Sequence, residues 1–298
     1  GYVFDTTGNY NIFKLVGNNW TNTGVVIDGR DSTRQDALAA GNVLFVASHK
    51  YQSVTTFSGA AGNEMRLYRF TYNGTNYQPD FQVTIDSQRS EALVIDQAAD
   101  GKLWATWVQQ NGTNGPHLVY YSHTNGDCST PATCTWTPRA QVPGSSAVSA
   151  DDISALVRFG SEIGVMWSDQ TAGDEGMKFA HVNTALSWSA VQVATPPGPK
   201  QADDHINMKA NGNTIYVAAK TKFISKTALN PQTRLLVRDS GGAWAAHTIS
   251  YSPDQRTRPI VLLDPANNAI HVFETGSHPS GADPETSGGN IFESTAPL

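Results

Sequence analysis

The feature that most constrains this chain is a repeat. Trp20, Tyr77, Trp136, Trp188 and Trp244 each close a short turn: Gly-Asn-Asn-Trp, Gly-Thr-Asn-Tyr, Thr-Cys-Thr-Trp, Ala-Leu-Ser-Trp and Gly-Gly-Ala-Trp. The steps between them are 57, 59, 52 and 56 residues. Short apolar runs at residues 43–47, 103–108, 163–167, 214–218 and 269–273 keep a similar spacing. A polar head precedes each run: Arg34-Gln35-Asp36, Arg89-Ser90-Glu91, Asp151-Asp152, Asp203-Asp204-His205 and Arg256-Thr257-Arg258. Such self-similarity means one structural unit copied along the chain, each copy burying its faces against the next.

Each unit reads as head, strand, turn, strand, loop, strand, aromatic turn, strand. The strands are short, β-branched or aromatic, and bounded by Gly, Asn and Asp. In the second unit they fall at residues 92–95, 103–108, 117–123 and 136–142. Four strands in a period somewhat above 50 residues are the mark of a β-propeller blade. We therefore expect an all-β chain, a β-propeller of four-stranded antiparallel blades, as one domain over residues 1–298. The aromatic series is expected in the core between blades.

The ends set the blade count. Residues 11–16 and 20–27 form an outer strand pair with no inner pair of its own. At the other end, residues 260–263 and 269–274 form an inner pair, and a third strand is expected at residues 290–294. We expect six blades with an incomplete C-terminal end; five is the alternative. Long Gly/Ser-rich loops are expected at residues 51–62 and 276–289.

Composition narrows the function. The net charge of -6 argues against a nucleic-acid coat, which needs a basic face. No apolar run reaches the roughly 18 residues of a membrane span. The N-terminus carries no signal-like segment, so secretion would imply prior removal of a leader. Cys128 and Cys134 have no other cysteine to compete for pairing. We expect a local disulfide across a hairpin tip and hence an oxidising, secreted or cell-surface setting; a pair of free surface thiols is the alternative.

In a propeller the first strand of a blade starts at the face where the second strand ends. The heads would then converge on one channel mouth with His49, Lys50, Gln109, Asp169, Lys220, Thr221 and Glu274 from the second-strand ends. In a chain only 15% charged, that concentration is the most informative feature. His205 beside Asp203 and Asp204 suits a general acid or base. Strand alternation would turn His205, Asn207 and Lys209 one way and Asp204, Ile206 and Met208 the other. Arg34, Arg89, Arg256 and Arg258, with Lys220, could hold an anionic sugar, and Asp36, Glu91, Asp151, Asp152 and Glu274 complete the expected substrate-binding set. Acid pairs could serve as glycosidase carboxylates. No metal or other cofactor is expected, with Ca²⁺ the one candidate for the aspartates.

Val237-Arg238-Asp239-Ser240-Gly241-Gly242-Ala243-Trp244 resembles the aspartate box, Ser-x-Asp-x-Gly-x-x-Trp, of secreted bacterial sialidase and BNR-repeat propellers. Thr71 to Tyr77 and Val16 to Trp20 are weaker echoes. The family places that box between third and fourth strands. Its sialidases hold the substrate carboxylate with three arginines, which the resemblance places at Arg34, Arg89 and Arg258. Asp203-Asp204-His205 resembles the head of BNR-like propellers acting on uronate-containing polysaccharides, where a channel histidine moves protons. The implied function is hydrolysis or lysis of uronate- or sialate-containing glycans, with carbohydrate as the partner. A non-catalytic carbohydrate-binding or adhesion propeller, or an interaction scaffold, is the alternative.

Overall fold

The computed structural model describes residues 2–4, 10–30, 33–50, 62–173, 175–276 and 289–298. The two expected long loops lie almost wholly outside these. The regular elements of the described residues are all strands apart from one short 3-10 turn, and no helix among them is long and apolar enough to cross a membrane. Two compact units are distinguishable: Gly1–Pro116 with Tyr120–Ala140, and His117–Val119 with Gln141–Leu298.

Four sheets are complete antiparallel meanders of four strands. They are β4 to β7 (Thr33–Ala40, Val43–Lys50, Met65–Tyr72, Tyr77–Asp86); β8 to β11 (Leu93–Gln97, Leu103–Gln110, His117–His123, Ala140–Gln141); β12 to β15 (Ser154–Phe159, Glu162–Asp169, Gly176–Val182, Gln192–Val193); and β16 to β19 (Ile206–Asn211, Thr214–Lys220, Pro231–Arg238, Trp244–Tyr251). A fifth, β20 to β22 (Thr257–Asp264, Ala269–Gly276, Asn290–Pro297), has three strands. The fold is thus an all-β propeller of four-stranded blades. The expected count of six is corrected to five: only these five sheets, among the described residues, have an inner strand that follows a polar head. The sheet of β1 to β3 (Tyr2–Phe4, Tyr10–Val16, Asn19–Asp28) lacks such a strand and packs Ile12 and Ile27 against Val46 and Phe70 of the first blade.

The repeated turn chemistry is legible at each first hairpin. Gly41, Gly101, Gly160 and Gly212 take positive φ there, and Asn268 does so in the fifth blade. That conformation is cheap for glycine and tolerable for asparagine. At the third hairpin Asn73, Asn183 and Asp239 fold their own side chains onto the turn. Asp239 Oδ1 accepts from Ala243 N at 2.9 Å, on the turn where the aspartate-box resemblance placed it. Asn73 and Asn183 accept from turn amides in the same manner.

Within the second unit, β17 shows why the second strands are apolar on both faces. Ile215, Val217 and Ala219 pack into a cluster with Met166, Met177 and Phe179 of the preceding blade. Tyr216 and Ala218, pointing the other way, pack with Val261, Ile270 and Val272 of the following one. Trp107 and Trp167, also on second strands, are fully buried. The expected aromatic series is corrected here. Trp20 is 59% exposed, and Tyr77, Trp136, Trp188 and Trp244 are only half-buried. Trp20, Tyr77 and Trp244 lie at the starts of the outer strands β3, β7 and β19, whereas Trp136 and Trp188 make isolated bridges ahead of β11 and β15. Trp244 shows the geometry: its ring meets Phe179 edge-on at 5.2 Å, and its Nε1 donates to Gln192 Oε1 at 3.0 Å.

Cys128 and Cys134 form the expected disulfide, with both side chains buried. Closing so short a loop removes about 2 kcal/mol of unfolded-state entropy. Replacing both cysteines by serine should lower stability by about that amount in chemical denaturation, with the native circular dichroism spectrum retained.

Candidate functional site

The second unit contains the one group of acids and histidine, among the described residues, whose ligand atoms lie within 4.8 Å of one another: Asp203, Asp204 and His205. They close the irregular segment before β16. Gln201 and Ala202, both buried, anchor that segment. Gln201 Oε1 accepts from Arg234 Nη1 at 2.6 Å, its Nε2 donates to Pro199 O at 3.1 Å, and Ala202 joins the apolar cluster beneath. Lys220 N then donates to His205 O at 3.1 Å, locking the head to the end of β17.

His205 Nδ1 lies 2.7 Å from Asp203 Oδ1 and 2.8 Å from Asp204 Oδ1. Lys220 Nζ stands 3.4 Å from Asp203 Oδ2. Burial works against a charged imidazole, but hydrogen bonds to both carboxylates outweigh it and push the His205 pKa up to about 9. Burial raises the Asp203 pKa, with His205 and Lys220 opposing it. For Asp204 the bond to His205 overcomes burial and holds the carboxyl below its usual range. At neutral pH His205 is therefore an imidazolium. Its Nδ1 is occupied, so Nε2 is the nitrogen left to donate.

This refines the expected chemistry. An imidazolium is a general acid at neutral pH, not a base. Both carboxylates converge on one nitrogen, so Asp203 and Asp204 position and charge the histidine and do not flank a bond as separated glycosidase carboxylates would. Alternation put Asp204 on the opposite face from His205. It reaches Nδ1 because residues 203–205 precede the strand and are free of its pleat. The donor set does not suit Ca²⁺, which takes about six to eight oxygens; here an imidazole and an ammonium stand beside two acids.

Alternation does hold once β16 begins. Ile206 and Met208 face the preceding blade, and Asn207 Oδ1 accepts from Val261 N of β20 at 3.1 Å. Asn207 pairs with Ala218, two residues before Lys220, on the face turned to β20. Arg258 lies near the start of β20, exposed, in a register shift between Thr257 and Ile260 and with φ 51°. Such a backbone is strained for arginine.

Other expected site residues have internal work. Glu274 is buried between blades, where it accepts from Ser250 Oγ at 3.0 Å and from Thr233 Oγ1, and binds Arg256 Nη1 at 3.1 Å. Arg256 lies over the Phe292 ring at 4.1 Å. Arg256, just ahead of β20, and Glu274, on β21, were expected at a channel mouth; here they pair with each other, and Glu274 also with Thr233 of β18 and Ser250 of β19. Asp152 is fully buried, its Oδ2 accepting from Ser149 N and Gln170 N, and burial raises its pKa. Asp151 is exposed.

In the first unit, Asp36 Oδ2 accepts from Ile95 N at 2.9 Å and ties β4 to β8. Arg34 is 57% exposed, its Nη1 3.9 Å from Glu91 Oε1. Arg89 gives its carbonyl to Gln109 Nε2. His49 belongs to the second-strand ends expected at the channel mouth. It is fully buried, and that burial lowers its pKa to about 4, so it stays neutral. Arg234, buried with Gln201, went unnoticed in the sequence; it sits mid-strand in an apolar run, with no head signature.

No protein-family model and no curated protein matches this chain. Among solved structures, a fungal lectin from Aleuria aurantia, a six-bladed β-propeller with a fucose recognition mode, is similar at 16% identity and TM-score 0.52, covering 85% of this chain and 73% of its own. An α-L-arabinofuranosidase from Lactobacillus brevis is similar at 12% identity and TM-score 0.49, covering 88% and 89%. The GH43_1 enzyme from Xanthomonas citri, complexed with xylose, is similar at 11% identity and TM-score 0.47, covering 89% and 86%. The lectin comparison supports the propeller fold.

The charged histidine makes a pH prediction. Its pKa rises from 6.5 to about 9 on folding, so its stabilising contribution is complete below pH 6.5 and is lost as pH rises through about 9. Wild-type stability should fall by about 2–3 kcal/mol across that window. His205→Asn should be less stable at pH 6 and flatter between pH 6 and 10, as read by denaturant midpoints.

Proposed function

We propose that the protein acts on anionic, uronate- or sialate-containing glycans outside the cell, as a hydrolase or lyase, at the head of β16. The observation that carries this reading is His205 held as an imidazolium by Asp203 and Asp204. Hydrolysis and elimination both need a proton delivered to the departing glycosidic oxygen. His205 Nε2 donates that proton. Asp203 and Asp204 fix the ring and supply the charge that keeps it protonated, and Lys220 balances Asp203. Arg258, exposed near the start of the adjacent inner strand, holds the sugar carboxylate in bidentate fashion. Asp151, in the same unit, remains a proposed contact for a further sugar unit. The disulfide supports an extracellular setting.

A second reading has its own support. The Aleuria lectin, whose path this chain follows at TM-score 0.52, is a carbohydrate-binding propeller. The same head would then bind glycans without turnover.

A panel of uronate polysaccharides and sialosides, assayed for reducing ends and for unsaturated products, separates the two. Turnover is expected on at least one anionic glycan, falling above pH about 9 as His205 loses its proton. His205→Asn should cost about 10²–10⁴-fold in kcat. Arg258→Met should act chiefly on KM for acidic substrates. Binding on a glycan array without product, unchanged in His205→Asn, favours the lectin reading. Neither turnover nor binding on any acidic glycan removes both.

A further inference from the structure

Within the first unit, a pocket of about 390 Å³ opens between the β2–β3 hairpin and the β4–β7 blade. It is remote in sequence from the His205 head and plays no part in the proposed chemistry. Its apolar lining includes Ile12, Ile27, Ala37 and Leu44. Tyr72 and Tyr77 also line it, their rings tilted with centroids 5.3 Å apart. Lys14 is the one charged residue in its described lining.

The polar groups of this lining are largely spent. Thr23 Oγ1 donates to Ile12 O at 2.6 Å, and Tyr72 Oη donates to Gly74 O at 3.0 Å. A hydroxyl-rich ligand would give up water here for few partners. Lys14 is different. Its Nζ donates to Thr75 O at 2.7 Å, and an ammonium has further N–H groups beyond that one. An apolar body with one anionic end would bury its body against the aliphatic lining and bring its charge to Lys14. The tyrosine pair favours an aromatic body, through edge and face contacts that an alkyl chain cannot make. A mostly apolar concavity with one well-placed polar anchor is a usual ligand-site composition.

We propose that this pocket binds an aromatic anion, with the ring system between the hairpin and the blade and its carboxylate or sulfonate at Lys14 Nζ. The test uses the whole chain and two fluorescent probes of similar size: anionic 1-anilinonaphthalene-8-sulfonate and neutral N-phenyl-1-naphthylamine. Saturable binding of the sulfonate at one site per chain is expected. Lys14→Met should weaken the sulfonate at least about tenfold and leave the neutral probe within about twofold. Ala37→Phe, which fills the pocket from β4, should weaken both. Tyr72→Ala, on the exposed rim, should also weaken both and serves if Ala37→Phe fails to fold, as judged by circular dichroism. His205→Asn should leave both probes unaffected, separating this pocket from the glycan site. No saturable binding, equal weakening of both probes by Lys14→Met, or indifference to the filling and rim variants overturns the proposal.

Discussion

The structure depends on apolar side chains leaving both faces of each blade. A four-stranded sheet with two apolar faces is insoluble alone, and each face must be covered by a neighbour. β17 carries the argument in one strand, with Ile215, Val217 and Ala219 covering the blade before and Tyr216 and Ala218 the blade after. Packing of this kind sets blade against blade within each unit. It fixes where first strands begin, and so where polar heads are held.

The His205 head shows how that rigidity sets a side chain's charge. Ala202 is sunk in the apolar cluster and Gln201 is bound to Arg234, so the acids that follow have little freedom. Two carboxylates then share one imidazole nitrogen at 2.7 and 2.8 Å. In a partly buried setting those bonds are stronger than in water, which is why they outweigh the cost of burying the charge. The same scaffold disposes of other charges quietly. Arg256 and Glu274 end up in a blade interface with two hydroxyls and a phenyl ring, where pairing offsets their desolvation.

Much of the fold was readable because it repeats. Strand alternation, Gly or Asn at each first hairpin and Asx residues at the third hairpin are local rules, and local rules repeat with the unit. The aromatic series was visible but misjudged. Trp244 marks the outer strand faithfully, yet sequence could not show that its ring is only half covered. The deep tryptophans, Trp107 and Trp167, lie in the apolar runs instead. The blade count failed for a related reason. The N-terminal sheet obeys the strand rules, but only strand pairing reveals which position of a blade each strand occupies.

By itself, the sequence determined the class of structure, the strand order in most blades, the disulfide and the placement of charged heads at strand starts. These follow from period, alternation and turn chemistry, which act over a few residues. Tertiary structure decided which heads keep their charges available. Whether an acid meets a backbone amide, as Asp36 and Asp152 do, or an imidazole, as Asp203 and Asp204 do, depends on what the adjoining strands and loops present. It also settled the charge of His205, read in the sequence as a candidate acid or base, because a proton's affinity is set by burial and by distances to neighbouring charges, which no residue pattern encodes.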